Sequence, residues 1–304
     1  MGNSVDAAGK PFALKGRQIL VVGLGLTGLA TARFLVNRQA KVTVTDSGSD
    51  TGIIQRAKML QSAGVNIALG PHRSELFETA DGIVVSPGVP LDIDGLQLAR
   101  ERGVPVTGEI ELASCFVEAP MVAITGTNGK TTTTQLTGAI LTRSGLNVFV
   151  GGNIGNPLID YADGDQKADV VVVEVSSFQL DTVQTFHPRV GVLLNVSADH
   201  LDRYADFDAY QRSKQRIFEN LNGDDVAVYS GDDQRVHTMG DQCTCRRLTF
   251  SGEPGPQVAT AEGAFLKPQG ITLNMSEVGS VFIDTAPFKM QGPHNQANLA
   301  AAAL

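Results

Sequence analysis

Residues Met121 to Thr134, MVAITGTNGKTTTT, narrow the possible folds more than any other stretch of the chain. The short apolar run Met121-Val-Ala-Ile124 predicts a buried strand. It gives way to Gly126-Thr127-Asn128-Gly129-Lys130-Thr131. Thr132 to Ser144 then has the length of a helix, with Leu136, Ile140 and Leu141 spaced to pack on a sheet. Strand, glycine turn and helix in this order form a phosphate-binding loop. Glycines let backbone N–H groups close round an anion, and the helix N-terminus adds a favourable dipole. Lys130 would reach the terminal phosphates and the Thr131 hydroxyl would take Mg²⁺. The usual pattern places a glycine where Ile124 stands, so this is a compressed variant. The plainer alternative is a glycine-rich turn beside a surface lysine.

A second glycine loop comes earlier. The strand-like run Gln18 to Val22 leads into Gly23-Leu-Gly25-Leu-Thr-Gly28 and an amphipathic helix through Leu35. A further strand, Lys41 to Thr45, ends at Asp46, eighteen residues after Gly28. That spacing predicts a dinucleotide-type site, with diphosphate at the helix N-terminus and a carboxylate on a ribose hydroxyl. Spacing alone leaves a nicotinamide cofactor and a UDP-type nucleotide equally open, beside a purely structural turn.

The βα rhythm continues through a helix at 53–63, strands at 65–69 and 82–85, a helix at 94–102 and a strand at 104–106. Residues 1–108 are therefore expected to form a Rossmann-like, mostly parallel sheet domain. Residues 109–304 form a second, P-loop-type α/β domain, entered through a helix at 109–117. Val170 to Val173 reads as a strand buried on both faces, broken by Glu174. A carboxylate beside four valines costs several kcal/mol to bury unless it is paired or bound to metal. Near a strand end beyond a phosphate loop, Glu174 suits an Mg²⁺ ligand. The exit loop of the next strand, 190–194, carries Asp199, His200 and Asp202. On a helix at 206–220, Tyr210, Lys214, Ile217 and Phe218 share one face, which puts a lysine on the buried side, either snorkelling to solvent or held there for a role. Residues 246–284 alternate in short runs and predict a small antiparallel ribbon.

Composition excludes several classes. With 24 Lys+Arg against 32 Asp+Glu and no basic block, the chain would repel a phosphate backbone, so no nucleic-acid partner is expected. The apolar runs fall far short of a membrane span. The first twelve residues have no signal-peptide core, and Asp6 spoils the myristoylation pattern. Three cysteines cannot all pair, which fits a reducing cytoplasm. Cys243, Cys245 and His237 offer too few ligands for a zinc site.

The stretch Gly126 to Thr131 resembles the Mur ligases of bacterial peptidoglycan synthesis, relatives of the folylpolyglutamate synthases. Other motifs carry the same resemblance: Gly23 to Gly28, Ser86-Pro87-Gly88, Gly108-Glu-Ile-Glu-Leu112 and Gly151-Gly-Asn-Ile-Gly155. So do Glu174 to Leu180, Asp199-His200 with Asp202-Arg-Tyr204, and Gly292-Pro-His-Asn295 with Asn298. Within the family the chain is most similar to members that add D-glutamate to UDP-N-acetylmuramoyl-L-alanine.

The resemblance implies a cytoplasmic, monomeric, ATP-dependent ligase of three domains, of which this chain holds the first and most of the second. The third is expected to be absent, leaving a fragment that does not complete the ligation alone. It also implies UDP rather than NAD at the first loop, through Leu26, Thr27, Asp46, Ser47, Ser86, Pro87 and Gly88. A basic residue is expected two places after Asp46, and Gly48 stands there. ATP would be held by Gly126, Thr127, Asn128, Gly129, Lys130, Thr131 and Thr132, with Asn295 and Asn298 toward the adenine. Thr131 and Glu174 would hold one Mg²⁺, with His200 and a carbamylated Lys214 on a second. Asn153, Ser176, Gln179 and His200 would meet the muramoyl substrate. The catalytic set is Lys130, Glu174, His200 and Lys214. The alternatives are a related Mur or folylpolyglutamate-type ligase, a nicotinamide-dependent dehydrogenase using Gly23 to Gly28, or a non-catalytic nucleotide-binding fragment.

Overall fold

The computed structural model describes residues 14–165, 167–199, 202–252, 262–290 and 292–304. They form two compact units, each built on its own sheet. The first comprises Met1–Glu118 with Asn156–Gln166 and Asp181–Phe186; the second comprises Ala119–Gly155, Lys167–Leu180 and His187–Leu304.

In the first unit the elements run β1 (Gln18–Val22), α1 (Leu26–Asn37), β2 (Lys41–Asp46), α2 (Thr51–Ser62) and β3 (Asn66–Leu69). Then come α3 (Ser74–Glu78), β4 (Gly82–Val85), α4 (Asp94–Glu101), β5 (Val106–Gly108) and α5 (Glu109–Ser114). The strands order as β3-β2-β1-β4-β5, and every pairing is parallel. Chain direction therefore reverses its progress between β1 and β4, the crevice where open α/β sheets take ligands. Leu20, Val22, Ile83 and Val85 fill the core beneath it with Phe77 and Leu96.

The boundary differs from the expected one at Gly108, because α5 belongs to the first unit. Two buried carboxylates explain this. Glu109 accepts the Ile159 N–H at 2.8 Å, in the segment containing α7 (Leu158–Asp163). Glu111 accepts three backbone N–H groups, from Gln184, Thr185 and Phe186, and the Thr185 hydroxyl at 2.6 Å. These bonds pull two later stretches of chain into the first unit. Sequence spacing carries no trace of them.

The second unit begins with β6 (Met121–Thr125), α6 (Lys130–Arg143), β7 (Val148–Gly152), β8 (Val170–Glu174), α8 (Ser177–Leu180) and β9 (Val190–Leu193). It continues with α9 (Phe207–Gln215), β10 (Val226–Ser230), α10 (Gln234–Asp241), β11 (Arg246–Ser251), β12 (Gly263–Lys267), β13 (Gly270–Met275), β14 (Gly279–Asp284) and α11 (Pro293–Ala302). Its nine strands order as β14-β13-β12-β11-β10-β9-β6-β8-β7. The phosphate-loop strand β6 thus lies between β8 and β9, and its register pairs Ile124 with Glu174 and Val192.

Three expectations need correction. The antiparallel ribbon begins only at β12, because β11 pairs in parallel with β10 and β12 in parallel with β11. It extends the main sheet rather than standing apart. The helix expected over 206–220 is α-helical only to Gln215 and tightens to a 3-10 turn at Arg216–Phe218. The strand expected at 104–106 is shifted to Val106–Gly108, since Pro105 lacks the N–H a ladder needs.

Candidate active site

The site in the second unit is assembled at the carboxyl ends of three neighbouring strands. After β6 the chain turns through Gly126 (φ 157°) and Gly129 (φ 86°) into α6. Gly129 is the N-cap, in the left-handed region that side chains disfavour. A Cβ there would stand 2.3 Å from Asn298 Oδ1, so α11 packs directly against the bare backbone. Asn195, leaving β9, holds the turn from the other side. Its carbonyl accepts the Thr127 N–H at 3.0 Å, its Oδ1 the Asn128 N–H at 2.9 Å, and its Nδ2 donates to the Asn128 carbonyl. Thr127 Oγ1 donates to the Ser197 carbonyl, so the Tyr210 hydroxyl donates to Thr127 at 3.0 Å. Burial raises the Tyr210 pKa, which keeps that donor protonated.

Glu174, at the end of β8, is only 2% exposed. Thr131 Oγ1 donates to its Oε2 at 2.7 Å and Asn153 Nδ2 to its Oε1 at 2.9 Å. The two hydrogen bonds come from neutral groups, which leaves the negative charge available to a cation. Lys130 folds back over its own loop, donating to the Gly126 and Thr127 carbonyls at 3.0 and 2.9 Å. Lys214, 1% exposed on α9, donates to the same Gly126 carbonyl at 2.8 Å and lies 4.8 Å from the Tyr210 ring centroid. Two lysine amines therefore converge on one carbonyl oxygen.

Beside the loop opens a cavity of about 1040 Å³. Asn128, Gly129, Thr132, Asn295 and Asn298 line it, so the structure brings together residues that lie 170 positions apart in the chain. Asn195, Asp232, Asp233 and Phe250 line it too, and sequence reasoning does not single them out. The signal available is position alone, since all four lie at or just beyond the carboxyl ends of β9, β10 and β11.

The remaining expected residues fall in two groups. Leu26, Thr27, Asp46, Ser47, Ser86, Pro87 and Gly88 belong to the first unit, round the exits of β1, β2 and β4. There Gly28 packs so tightly that a Cβ would stand 1.9 Å from the Gly23 carbonyl oxygen, and Ser86 Oγ donates to that same carbonyl at 3.1 Å. Leu26 is 69% exposed at the start of α1. Asp46 accepts the Leu24 N–H on one oxygen and the Gly48 N–H on the other, so it staples the two loops. Asn153, Ser176 and Gln179 belong to the second unit. Gln179 Oε1 accepts both the N–H and the hydroxyl of Ser176, a local turn opening α8. His200 lies outside the described residues.

A parallel-sheet unit with a glycine crevice and a unit whose central strand turns through glycines into a helix beside a buried carboxylate define an α/β protein of the phosphate-loop class. The sequence profile of the Mur ligase middle domain matches residues 124–304, and that of the MurD-like N-terminal domain of Mur ligases matches residues 17–108. The chain belongs to the Mur ligase family. It is 48% identical over 295 residues to the UDP-N-acetylmuramoylalanine–D-glutamate ligase of Desulfosudis oleivorans, covering 97% of this chain and 63% of the relative. The ligase of the same name from Geotalea daltonii is 48% identical over 289 residues, covering 95% and 63%. The chain therefore spans under two thirds of the length of the curated relatives it matches. Among solved structures, UDP-N-acetylmuramate:L-alanyl-gamma-D-glutamyl-meso-diaminopimelate ligase from Neisseria meningitides shares the fold. Its TM-score is 0.60 at 20% identity, over 94% of this chain and 92% of that one. Among the described residues no helix is long and apolar enough to cross a membrane.

Proposed function

We propose that this chain is the nucleotide-handling part of an ATP-dependent, ADP-forming ligase that joins D-glutamate to UDP-N-acetylmuramoyl-L-alanine in peptidoglycan synthesis. The glycine turn at the N-terminus of α6, with Lys130 folded over it and Thr131 bonded to buried Glu174, carries this reading. Among the described residues Lys130 donates only to backbone carbonyls, which leave its charge unneutralised, and an anion at the loop supplies the counter-charge. A triphosphate at the N-terminus of α6 supplies that anion, with its adenosine in the 1040 Å³ cavity beside Asn295 and Asn298.

The oxygen donors of Thr131 and Glu174 fit Mg²⁺, which takes one or two carboxylates plus substrate phosphates rather than an all-protein cage. Bound there, Mg²⁺ would neutralise charge on the transferring phosphoryl group. His200 and a carbamylated Lys214 are the proposed ligands of a second ion; carbamylation would turn the lysine into an anionic oxygen donor. Asn153, Ser176 and Gln179 would face the muramoyl-alanine portion. Leu26, Thr27, Asp46, Ser47, Ser86, Pro87 and Gly88 would face the UDP.

In the first step the alanyl carboxylate oxygen attacks the γ-phosphorus of ATP, forming an acyl phosphate and releasing ADP. The D-glutamate amine then attacks the acyl carbon, loses a proton and expels inorganic phosphate, leaving an amide. Lys130 offsets the meeting of two anions in the first step. The protein would act in the cytoplasm as a monomer.

Separate titrations with UMP, NADH and ATP·Mg²⁺ test the reading. Binding of UMP and ATP·Mg²⁺ without NADH supports it, and NADH binding alone overturns it. In the full-length enzyme Lys130→Ala should abolish ADP release; near-normal release would sink the phosphate-loop assignment.

A further inference from the structure

The first unit carries a cation that neither glycine loop accounts for. Arg56 lies on the second turn of α2, half-buried, three residues beyond Ile53 and on the same face. Ile53 is buried under the turn that leaves β2, and a Cβ on Gly48 would stand 2.4 Å from its Cδ1. Any side chain at position 48 must therefore displace Ile53. Helical side chains lean toward the helix N-terminus, and Arg56 does so. Its Nε donates to the Leu24 carbonyl at 2.6 Å. Its fork lies over Gly52, where a Cβ would stand 3.2 Å from Nη1 and 3.5 Å from Nη2.

Leu24 is thus gripped twice, by Arg56 on its carbonyl and by Asp46 on its N–H. Asp46 spends its other oxygen on Gly48, and Asp50, whose Oδ1 stands 3.0 Å from that same Cβ position on Gly52, caps the Ile53 N–H. Neither terminal nitrogen of Arg56 has an acceptor among the described residues. A planar fork is therefore held at one nitrogen and open at the other two, between the exits of β1 and β2.

We propose that Arg56 recognises the nucleobase of a uridine nucleotide bound in this crevice, its terminal N–H groups donating to a ring carbonyl. This rests on the reading of the first unit as the UDP-binding part. In such sheets the diphosphate goes to the N-terminus of the helix after β1, and the exit of β2 takes the nucleoside. Arg56 stands on the element that follows β2. Uracil presents two carbonyl acceptors and a flat face, and a guanidinium suits both because it is planar and weakly hydrated.

The test uses the 304-residue chain, titrated with UMP and with uridine, in wild type, Arg56→Ala and Arg56→Lys. Thermal midpoints report folding; if the alanine variant fails to fold, the lysine variant carries the test. The expected result is a roughly tenfold weaker affinity for UMP and for uridine alike, about 1.4 kcal/mol, in both variants. Unchanged UMP affinity in Arg56→Ala overturns the inference while leaving the UDP reading intact. A loss confined to UMP overturns it in favour of a phosphate contact, and full recovery in Arg56→Lys overturns it in favour of charge alone. Wild-type protein that binds neither ligand overturns the UDP reading, and the inference with it.

Discussion

Thr131→Val removes one hydroxyl and keeps the shape of the side chain, so it isolates the bond to Glu174. That bond is 2.7 Å long and ends on a carboxylate that is 2% exposed. Hydrogen bonds to charged groups contribute about 1.5–3 kcal/mol. Thr131 itself is exposed, so water can partly replace the lost donor, and the lower end applies. A loss of about 1.5 kcal/mol should lower the thermal midpoint by about 3–6 °C for a unit of this size. A double-mutant cycle sharpens the measurement. In a Glu174→Gln background the charge is gone, so the same substitution should cost well under 1 kcal/mol, roughly the value of a neutral hydrogen bond or less. Calorimetry on the four proteins gives the coupling. In parallel, the Mg²⁺-dependent part of ATP affinity should weaken about tenfold, equivalent to about 1.4 kcal/mol. An unchanged midpoint, or an equal loss in both backgrounds, would refute the idea that Thr131 compensates the buried charge. An intact Mg²⁺ dependence would refute its role as a ligand.

Other positions make independent tests. Gly129→Ala forces a side chain into φ 86° and within 2.3 Å of Asn298 Oδ1; differential scanning calorimetry should find a loss of at least about 1–2 kcal/mol from the backbone alone. Adding Asn298→Ala should relieve the clash but not that backbone cost. Lys214→Ala in the full-length enzyme should lose activity that short carboxylic acids partly restore, and wild-type protein equilibrated with ¹³CO₂ should give a carbamate signal that the variant lacks; the absence of both would sink the carbamate. Hydrogen bonds from Ser276 and Arg246 draw the Glu262 carboxyl down to about 2. Because this pKa is depressed, the stabilisation is complete above the ordinary value of 4.5 and is lost as pH falls toward about 2. The midpoint difference between wild type and Glu262→Gln should therefore shrink across that window, and a difference that holds constant there would contradict the assignment.

The family is legible in the amino-acid sequence because its motifs are local. A strand, a glycine turn and a helix fall within the fourteen residues from Met121 to Thr134, and each step follows from short-range backbone preference. Glu174 is legible for a related reason, since a carboxylate at the end of a valine run has little choice but to meet a partner. Lys214 is legible from helical periodicity, and it is buried.

Contacts closed by distant residues leave no such mark. Glu109 and Glu111 look like ordinary first-turn acids, yet they capture Ile159 and the 184–186 backbone and so move the unit boundary by ten residues. The direction of β11 is hidden too, because alternation fixes which face a strand buries and says nothing of which neighbour it runs beside. Asn195 and Asp233 carry no motif; only the ordering of β10, β9 and β6 in one sheet brings them to the phosphate loop. Local sequence thus decides which chemistry this protein carries, since strand, turn and helix preferences act over a few residues. Tertiary structure decides which groups share that chemistry, since hydrogen bonds between segments 50 to 88 residues apart depend on sheet order and not on spacing.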